Sequence, residues 1–173
     1  DSGAGNQPPA GPIAVASGVD PAKERMMTMA EEWTLVLVKP DGVKNRHVGE
    51  VITRIERKGY QIIDLKMIEP TENKLRQHYA DKVNEPYFAG LMSYMTEGPI
   101  VGIIVAGTNV VKAIHRMAGA TNPVEAAWGT IRGDFGREWP DGNLRNVVHT
   151  SDNPANAKRE IEIWFPERTV VDQ

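Results

Sequence analysis

Residue types and spacing first suggest chemistry in Asn146-Val147-Val148-His149-Thr150-Ser151-Asp152. A short apolar run, read as a strand over 146–149, ends in a histidine. A polar turn, Asn153-Pro154 and a helix-like stretch over 155–160 follow. An imidazole has an ordinary pKa of about 6.5, so near neutral pH it is largely uncharged and can attack phosphorus without a separate base. It then needs an acceptor fixed on its second ring nitrogen. Glu160 lies eleven residues on, and a short helix would bring it back beside the strand. The expectation is that His149 carries a phosphoryl group and Glu160 orients it. The bland alternative is a structural histidine satisfied by its neighbours, the commoner fate of a strand-end imidazole read alone.

Phosphoryl transfer is mostly positioning and electrostatics, so cations and donors must surround the phosphate. Lys39, Arg116, Arg132, Thr121 and two expected helix starts are available. Lys39 precedes Pro40-Asp41-Gly42, read as a turn in which Pro fixes φ and Gly tolerates positive φ. Asn122-Pro123-Val124-Glu125 has the pattern of a capping box opening a helix, a place that can also bind an anion. Residues 129–136 read as a Gly-punctuated polar loop with Ile131 as its one buried candidate. Arg132 there is either a surface residue or a phosphate clamp. Read alone, Lys39 is a solvated lysine, and Tyr79 and Tyr87 are packing aromatics.

Residues 33–38 are β-rich and apolar, a buried strand. Val48, Val51, Ile52 and Ile55 have helical spacing, and Gly59 stops that helix. Ile63, Leu65 and Met67 alternate with Asp64 and Lys66, predicting a half-buried strand with the three apolar residues inward. Thr71 caps a helix through Leu75 and Tyr79, and Pro86 opens another carrying Phe88, Leu91, Met92 and Met95. Residues 100–105 form a central strand. Thr108 is the expected cap of a helix burying Val110, Val111, Ile114 and Met117. Residues 137–145 read as an exposed turn. Ile161, Ile163 and Phe165 suggest a short terminal strand. The order fits an α+β, ferredoxin-like βαββαβ sandwich: a four-stranded antiparallel sheet with covering helices and an added helical hairpin.

Residues 1–30, Pro- and Gly-rich without an aromatic, read as a flexible leader ahead of a domain over 31–173. Met26, Met27 and Met29 are alternative natural starts, in which case the leader is not native. There is no cysteine, so disulfides, thiolate catalysis and Cys-based zinc sites are excluded. The histidines at 47, 78, 115 and 149 lack the spacing of a zinc motif. Residues 33–173 carry 18 acids and 18 bases, so no basic field supports a nucleic-acid partner. No apolar run is long enough for a membrane helix, and no secretory signal is visible; the expected compartment is the cytoplasm. Neither a Walker-type nor a Gly-x-Gly-x-x-Gly loop is present.

Four motifs in register, Lys39-Pro40-Asp41-Gly42-Val43, Gly119-Ala120-Thr121-Asn122-Pro123, Gly129-Thr130-Ile131-Arg132-Gly133-Asp134-Phe135 and Asn146-Val147-Val148-His149-x-Ser151-Asp152, make the chain similar to nucleoside diphosphate kinases over residues 33–166. The resemblance implies a ping-pong exchange in which His149 takes the γ-phosphoryl of a nucleoside triphosphate, mainly ATP, and passes it to a nucleoside diphosphate. It implies Glu160 as orienter, Ser151 as the hydroxyl beside the histidine, Lys39 on the phosphates and the ribose, and Tyr79 near the transferred group. It implies Thr121 and Arg132 on phosphate, Asn146 on ribose and Tyr87 stacked on the base. Mg²⁺ would arrive with the nucleotide, held mainly by phosphates and water. A homo-oligomer is implied, a hexamer first, with tetramer or dimer as alternatives. The chain departs from the family where His115 stands for a phosphate-binding arginine, with Arg116 adjacent but turned by about 100° on a helix. It also departs at Trp128, at Thr150 and in a longer 137–145 connection. The competing expectation is a nucleotide-binding or assembly module with little turnover on the same fold.

Overall fold

The computed structural model describes Asp20 and residues 31–170; the expected leader, Asp20 apart, lies outside the described residues. The elements are β1 (Glu32–Val38), α1 (Pro40–Lys44), α2 (Val48–Arg57), β2 (Gln61–Ile68), α3 (Glu72–His78), α4 (Phe88–Met95) and β3 (Ile100–Gly107). They continue with α5 (Val110–Ala118), α6 (Ile131–Phe135), β4 (Arg137–Glu138), β5 (Leu144–Arg145), β6 (Val148–Thr150) and α7 (Pro154–Trp164). Strands β2, β3, β1 and β6 lie side by side in that order, every pair antiparallel, which is the ferredoxin-like sheet.

β1 is apolar from Leu35 to Val38 because it sits mid-sheet with both faces covered. Val36 and Val38 join Val51 and Ile55 of α2 and Val110 and Ile114 of α5 on one face. Leu35 and Leu37 join Leu75 of α3, Tyr94 and Met95 of α4 and Ile161 and Trp164 of α7 on the other. Each such buried aliphatic contributes about 1.5–3 kcal/mol. No helix of the described residues is long and apolar enough to cross a membrane.

The expected alternation in β2 is present and Ile63 packs against the core, but Leu65 and Met67 face outward. A bulge between Ile62 and Asp64 shifts the register, leaving Leu65 and Met67 46% and 66% exposed at the sheet edge. Asp64 and Lys66 instead face the C-terminal segment: Asp64 binds Arg168, and Lys66 binds Glu167 and lies over the Phe165 ring. The terminal strand is absent, since Ala157, Ile161 and Trp164 follow helical spacing and bury the inner face of α7. At α5 the cap is Asn109 in the left-handed region, φ 55°, rather than Thr108; Glu32 Oε2 accepts from Val111 N instead. Asn122-Pro123 starts a turn that does not propagate as a helix. Asn122 Oδ1 accepts from Val124 N, and its carbonyl from Glu125 and Ala126. The polar loop over 129–136 contains α6, capped by Thr130 Oγ1 on Gly133 N. Residues 137–145 form the β4–β5 hairpin.

Pro40-Asp41-Gly42 is not a free turn but the first turn of α1, with Pro at its start. Gly42 is there for space, not for φ. A Cβ would lie 2.7 Å from Val38 Cγ1 and 2.9 Å from the Val147 carbonyl oxygen. Gly42→Ala is expected to destabilise the fold by about 1–3 kcal/mol, read by thermal unfolding. A melting curve like that of the wild type would refute this.

Candidate active site

β6 places His149 opposite Leu37, so its side chain points to the α3–α7 face of the sheet. α7 then runs back over that face and delivers Glu160, 4% exposed, with both carboxylate oxygens 2.9 Å from His149 Nε2. Asn153 starts this helix, its side chain accepting from Asn156 N, with Pro154 in the first position. Ser151, fully buried, donates to Glu160 Oε1 at 2.7 Å and accepts from Leu35 N, so it fixes the glutamate rather than the imidazole. With Nε2 tied to a carboxylate, Nδ1 is the nitrogen left to react. The side chain keeps 21% of its surface open.

A cavity of about 630 Å³ opens over His149. Burial, then Lys39 and Arg132, push the imidazole well below its ordinary titration range, so the ring is neutral. Burial pushes the Glu160 carboxyl up, against His78 and Ser151. Lys39 stands at the end of β1, 7% exposed, and donates to Asn146 Oδ1 at 2.8 Å. Burial first, then Arg132, lowers its pKa to about 7, against the pull of Asp41. Arg132, on α6 and buried, donates to the Gly119 carbonyl and the Val148 carbonyl, each at 2.8 Å. Its Nε and the Tyr79 hydroxyl are buried without a partner among the described residues. Asn146 also donates to the Thr121 carbonyl at 3.0 Å. Tyr87, 54% exposed, stands at the start of α4 on the cavity rim.

The cavity thus gathers Lys39, Tyr79, Tyr87, His115, Thr121, Arg132, Asn146, His149 and Glu160. Ser151 sits one layer behind. Arg116 is exposed and does not line it: the turn of α5 that brings His115 to the wall carries its neighbour away.

Sequence reasoning missed four residues. Strand β6 begins only at Val148, because Val147 has φ 71° and Val148 N bonds to the Asn146 carbonyl at 2.8 Å, a γ-turn. Asp41 holds that turn: Oδ2 accepts from Val147 N at 3.0 Å, and Oδ1 takes a short bond from the Tyr94 hydroxyl. His78 packs edge-on against His149, ring centroids 4.3 Å apart, and accepts from Trp164 Nε1 at 3.0 Å. Asp41 and Tyr94 act through partners 53 and 106 positions away, which no local pattern reveals. His78 had a weak signal, since it follows Leu75 at helical spacing.

His78, His149 and Glu160 place ligand atoms within 4.8 Å of one another. The cluster nonetheless does not suit a cation. The Trp164 indole occupies Nδ1 of His78, so the neutral ring carries its hydrogen on Nε2 and has no lone pair left to give. Glu160 is already engaged twice. Glu160 supports His149 through hydrogen bonds, and His78 supports it through an edge-on ring contact.

A neutral, oriented imidazole facing cations across an open cavity is the equipment of a covalent phosphotransferase, here set on a ferredoxin-like frame. The family model for nucleoside diphosphate kinase matches residues 32–170. A nucleoside diphosphate kinase of Archaeoglobus fulgidus is 48% identical over 141 residues, 82% of this chain and 91% of that protein. One from Nocardia farcinica is 48% identical over 141 residues, 81% of this chain and 99% of that protein. The structure also superposes on a Halobacterium salinarum nucleoside diphosphate kinase solved with CDP, at TM-score 0.74 and 36% identity over 78% of this chain and 88% of that one. A Borrelia burgdorferi nucleoside-diphosphate kinase, solved as a transition state mimic with vanadate and ADP, gives TM-score 0.74 at 35% identity over 79% and 88%. The chain belongs to the nucleoside diphosphate kinase family.

Proposed function

We propose that this chain runs the family's phosphoryl exchange through Nδ1 of His149. The observation that carries the reading is the bond from Nε2 of a neutral His149 to buried Glu160, which leaves Nδ1 at the floor of the cavity. The Nδ1 lone pair attacks the γ-phosphorus of a nucleoside triphosphate. The bond from that phosphorus to the β–γ bridging oxygen breaks, and the diphosphate leaves with the electron pair. The Nε2 proton stays in the Glu160 bond, so the positive charge on the ring is met by a carboxylate. A second diphosphate then takes the group by the reverse path.

Arg132 Nε and the Tyr79 hydroxyl, buried donors without partners, suit phosphate oxygens. Lys39 gains a proton as the anion arrives, and Thr121 and His115 add donors at the wall. Asn146, between Lys39 and Thr121, suits the ribose. Tyr87 gives the base a stacking face without reading its edges, so many nucleotides fit. Mg²⁺ comes as part of the substrate. Besides the engaged Glu160, the carboxylates lining the cavity are Asp81 and Asp152, too few for a magnesium cage. The working form is a homo-oligomer, hexamer first, in the cytoplasm. Exposed Trp128 and Val124, and Leu65 and Met67 at the β2 edge, are apolar surface that a second copy would cover.

The test is incubation of the whole chain with γ-labelled ATP and Mg²⁺. An acid-labile, base-stable phosphoprotein discharged by any nucleoside diphosphate is expected; absence of label would overturn the reading. The pH profile adds a sharper expectation. Attack needs the neutral ring, and the His149 pKa lies well below 6.5. Labelling at saturating ATP should therefore not fall as pH drops through 6.5; a half-loss at that pH would contradict it.

A further inference from the structure

We propose that Thr150 anchors His115 as a proton-switched phosphate contact, so that nucleotide binding by this protein takes up a proton at His115. The proposal rests on the reading of the cavity as a nucleotide site. The last turn of α5 carries His115 to the cavity wall, and Nδ1 lies 3.2 Å from Thr150 Oγ1. Thr150 is itself fixed: it is 4% exposed, pairs with Val36 in the sheet and follows the nucleophile directly. Nε2 of His115 has no hydrogen-bond partner among the described residues, although the ring lines the cavity.

The chemistry of the anchor matters. A hydroxyl both donates and accepts. It can give its proton to the bare Nδ1 of a neutral imidazole, or rotate and accept from Nδ1–H of an imidazolium. In either state Nε2 carries a hydrogen and the ring keeps its place. The side chain can therefore change charge without changing position. An arginine in that place would hold its charge at every physiological pH, and an alanine at 150 would supply no anchor.

The surroundings pull both ways. Asp152, on the turn after β6, favours the cation. Arg132 from α6 and Lys39 at the end of β1 are cations lining the same cavity, and the neighbouring His149 ring is neutral. On α5 itself Lys112 and Arg116 oppose the cation; from the start of β1, Glu32 is spent on Val111 at the far end of α5. A polyphosphate entering among these cations reverses the balance. If it favours the protonated ring, linkage requires that the protonated protein bind it more tightly by the same factor. The direction is fixed: affinity is greatest below the His115 titration and falls as pH rises through it.

Proton NMR of the full chain tests this directly. The His115 ring resonances, identified by their loss in His115→Gln, are followed against pH with and without saturating ADP. The expected result is a midpoint raised by about one pH unit with ADP, equivalent to about tenfold tighter binding to the protonated form. These resonances report His115 alone, whatever proton Lys39 gains on binding. Thr150→Val should shrink the shift, since the ring loses its anchor; His115→Arg should flatten ADP affinity over the window by the same factor. Bound ADP with an unmoved midpoint overturns the switch while leaving the nucleotide site standing. Failure of the wild-type protein to bind ADP overturns the site and the switch together.

Discussion

The His149→Asn protein will take up no label from γ-labelled ATP and will exchange phosphoryl groups at least about 10⁴-fold more slowly than the wild type. The loss is that large because the amide offers no nucleophilic lone pair, and nothing else near the cavity floor replaces it. His78, the nearest other imidazole, has its Nδ1 filled by the Trp164 indole. Folding should be little changed. The substitution removes one bond to Glu160, worth about 1–2 kcal/mol, and Ser151 still satisfies that carboxylate. ADP affinity should also persist, because Lys39, Arg132 and Tyr79 remain. Glu160→Gln is the graded companion. It keeps an acceptor for Nε2–H but loses the negative charge, so labelling should slow by about 10²–10³-fold rather than vanish. Label on the Asn protein at the wild-type rate would show that another group carries the phosphoryl.

The second large effect falls away from the nucleophile. Asp41→Ala should cost about 3 kcal/mol or more, lowering Tm by about 10 °C. It strands the Tyr94 hydroxyl and the Val147 N–H in the interior. It also releases the γ-turn that leads into β6. Val147 at φ 71° stores about 1–3 kcal/mol, retained because Asp41 takes its N–H and Lys39 N holds its carbonyl at 2.8 Å. Once that grip is lost, His149 drifts from its register with Leu37, and kcat should fall by about tenfold or more in molecules that remain folded. Tyr94→Phe removes one donor and leaves the turn bonded, so about 1 kcal/mol is expected. Asp41→Ala melting within a degree of the wild type would refute the whole account of the turn.

What could be read from the sequence was what local spacing decides. His149 and Glu160 are eleven residues apart across one helix, so their meeting follows from helix geometry. Leu35 to Val38 announced a strand buried on both faces. The misreadings came where two periods competed or distance intervened. Ile161, Ile163 and Phe165 alternate like a strand, yet Ala157, Ile161 and Trp164 make the longer helical stripe, and that stripe buries. In β2 the alternation was legible, but which face would be covered depended on the bulge and on Arg168, 104 positions from Asp64. The γ-turn was hidden because its strain is borne by a valine and relieved by an aspartate over a hundred residues earlier.

The pairing of β1 with β6 has a consequence for biosynthesis. Lys39 and His149 stand at one mouth only because strands from opposite ends of the described chain lie side by side. Closing so long a loop is slow compared with forming any of the helices. The orienting carboxylate arrives later still, on α7. A nascent chain therefore lacks the carboxylate bonded to His149 until Glu160 has left the ribosome, however well the earlier strands have formed. Refolding experiments should accordingly recover helical signal well before phosphoryl transfer.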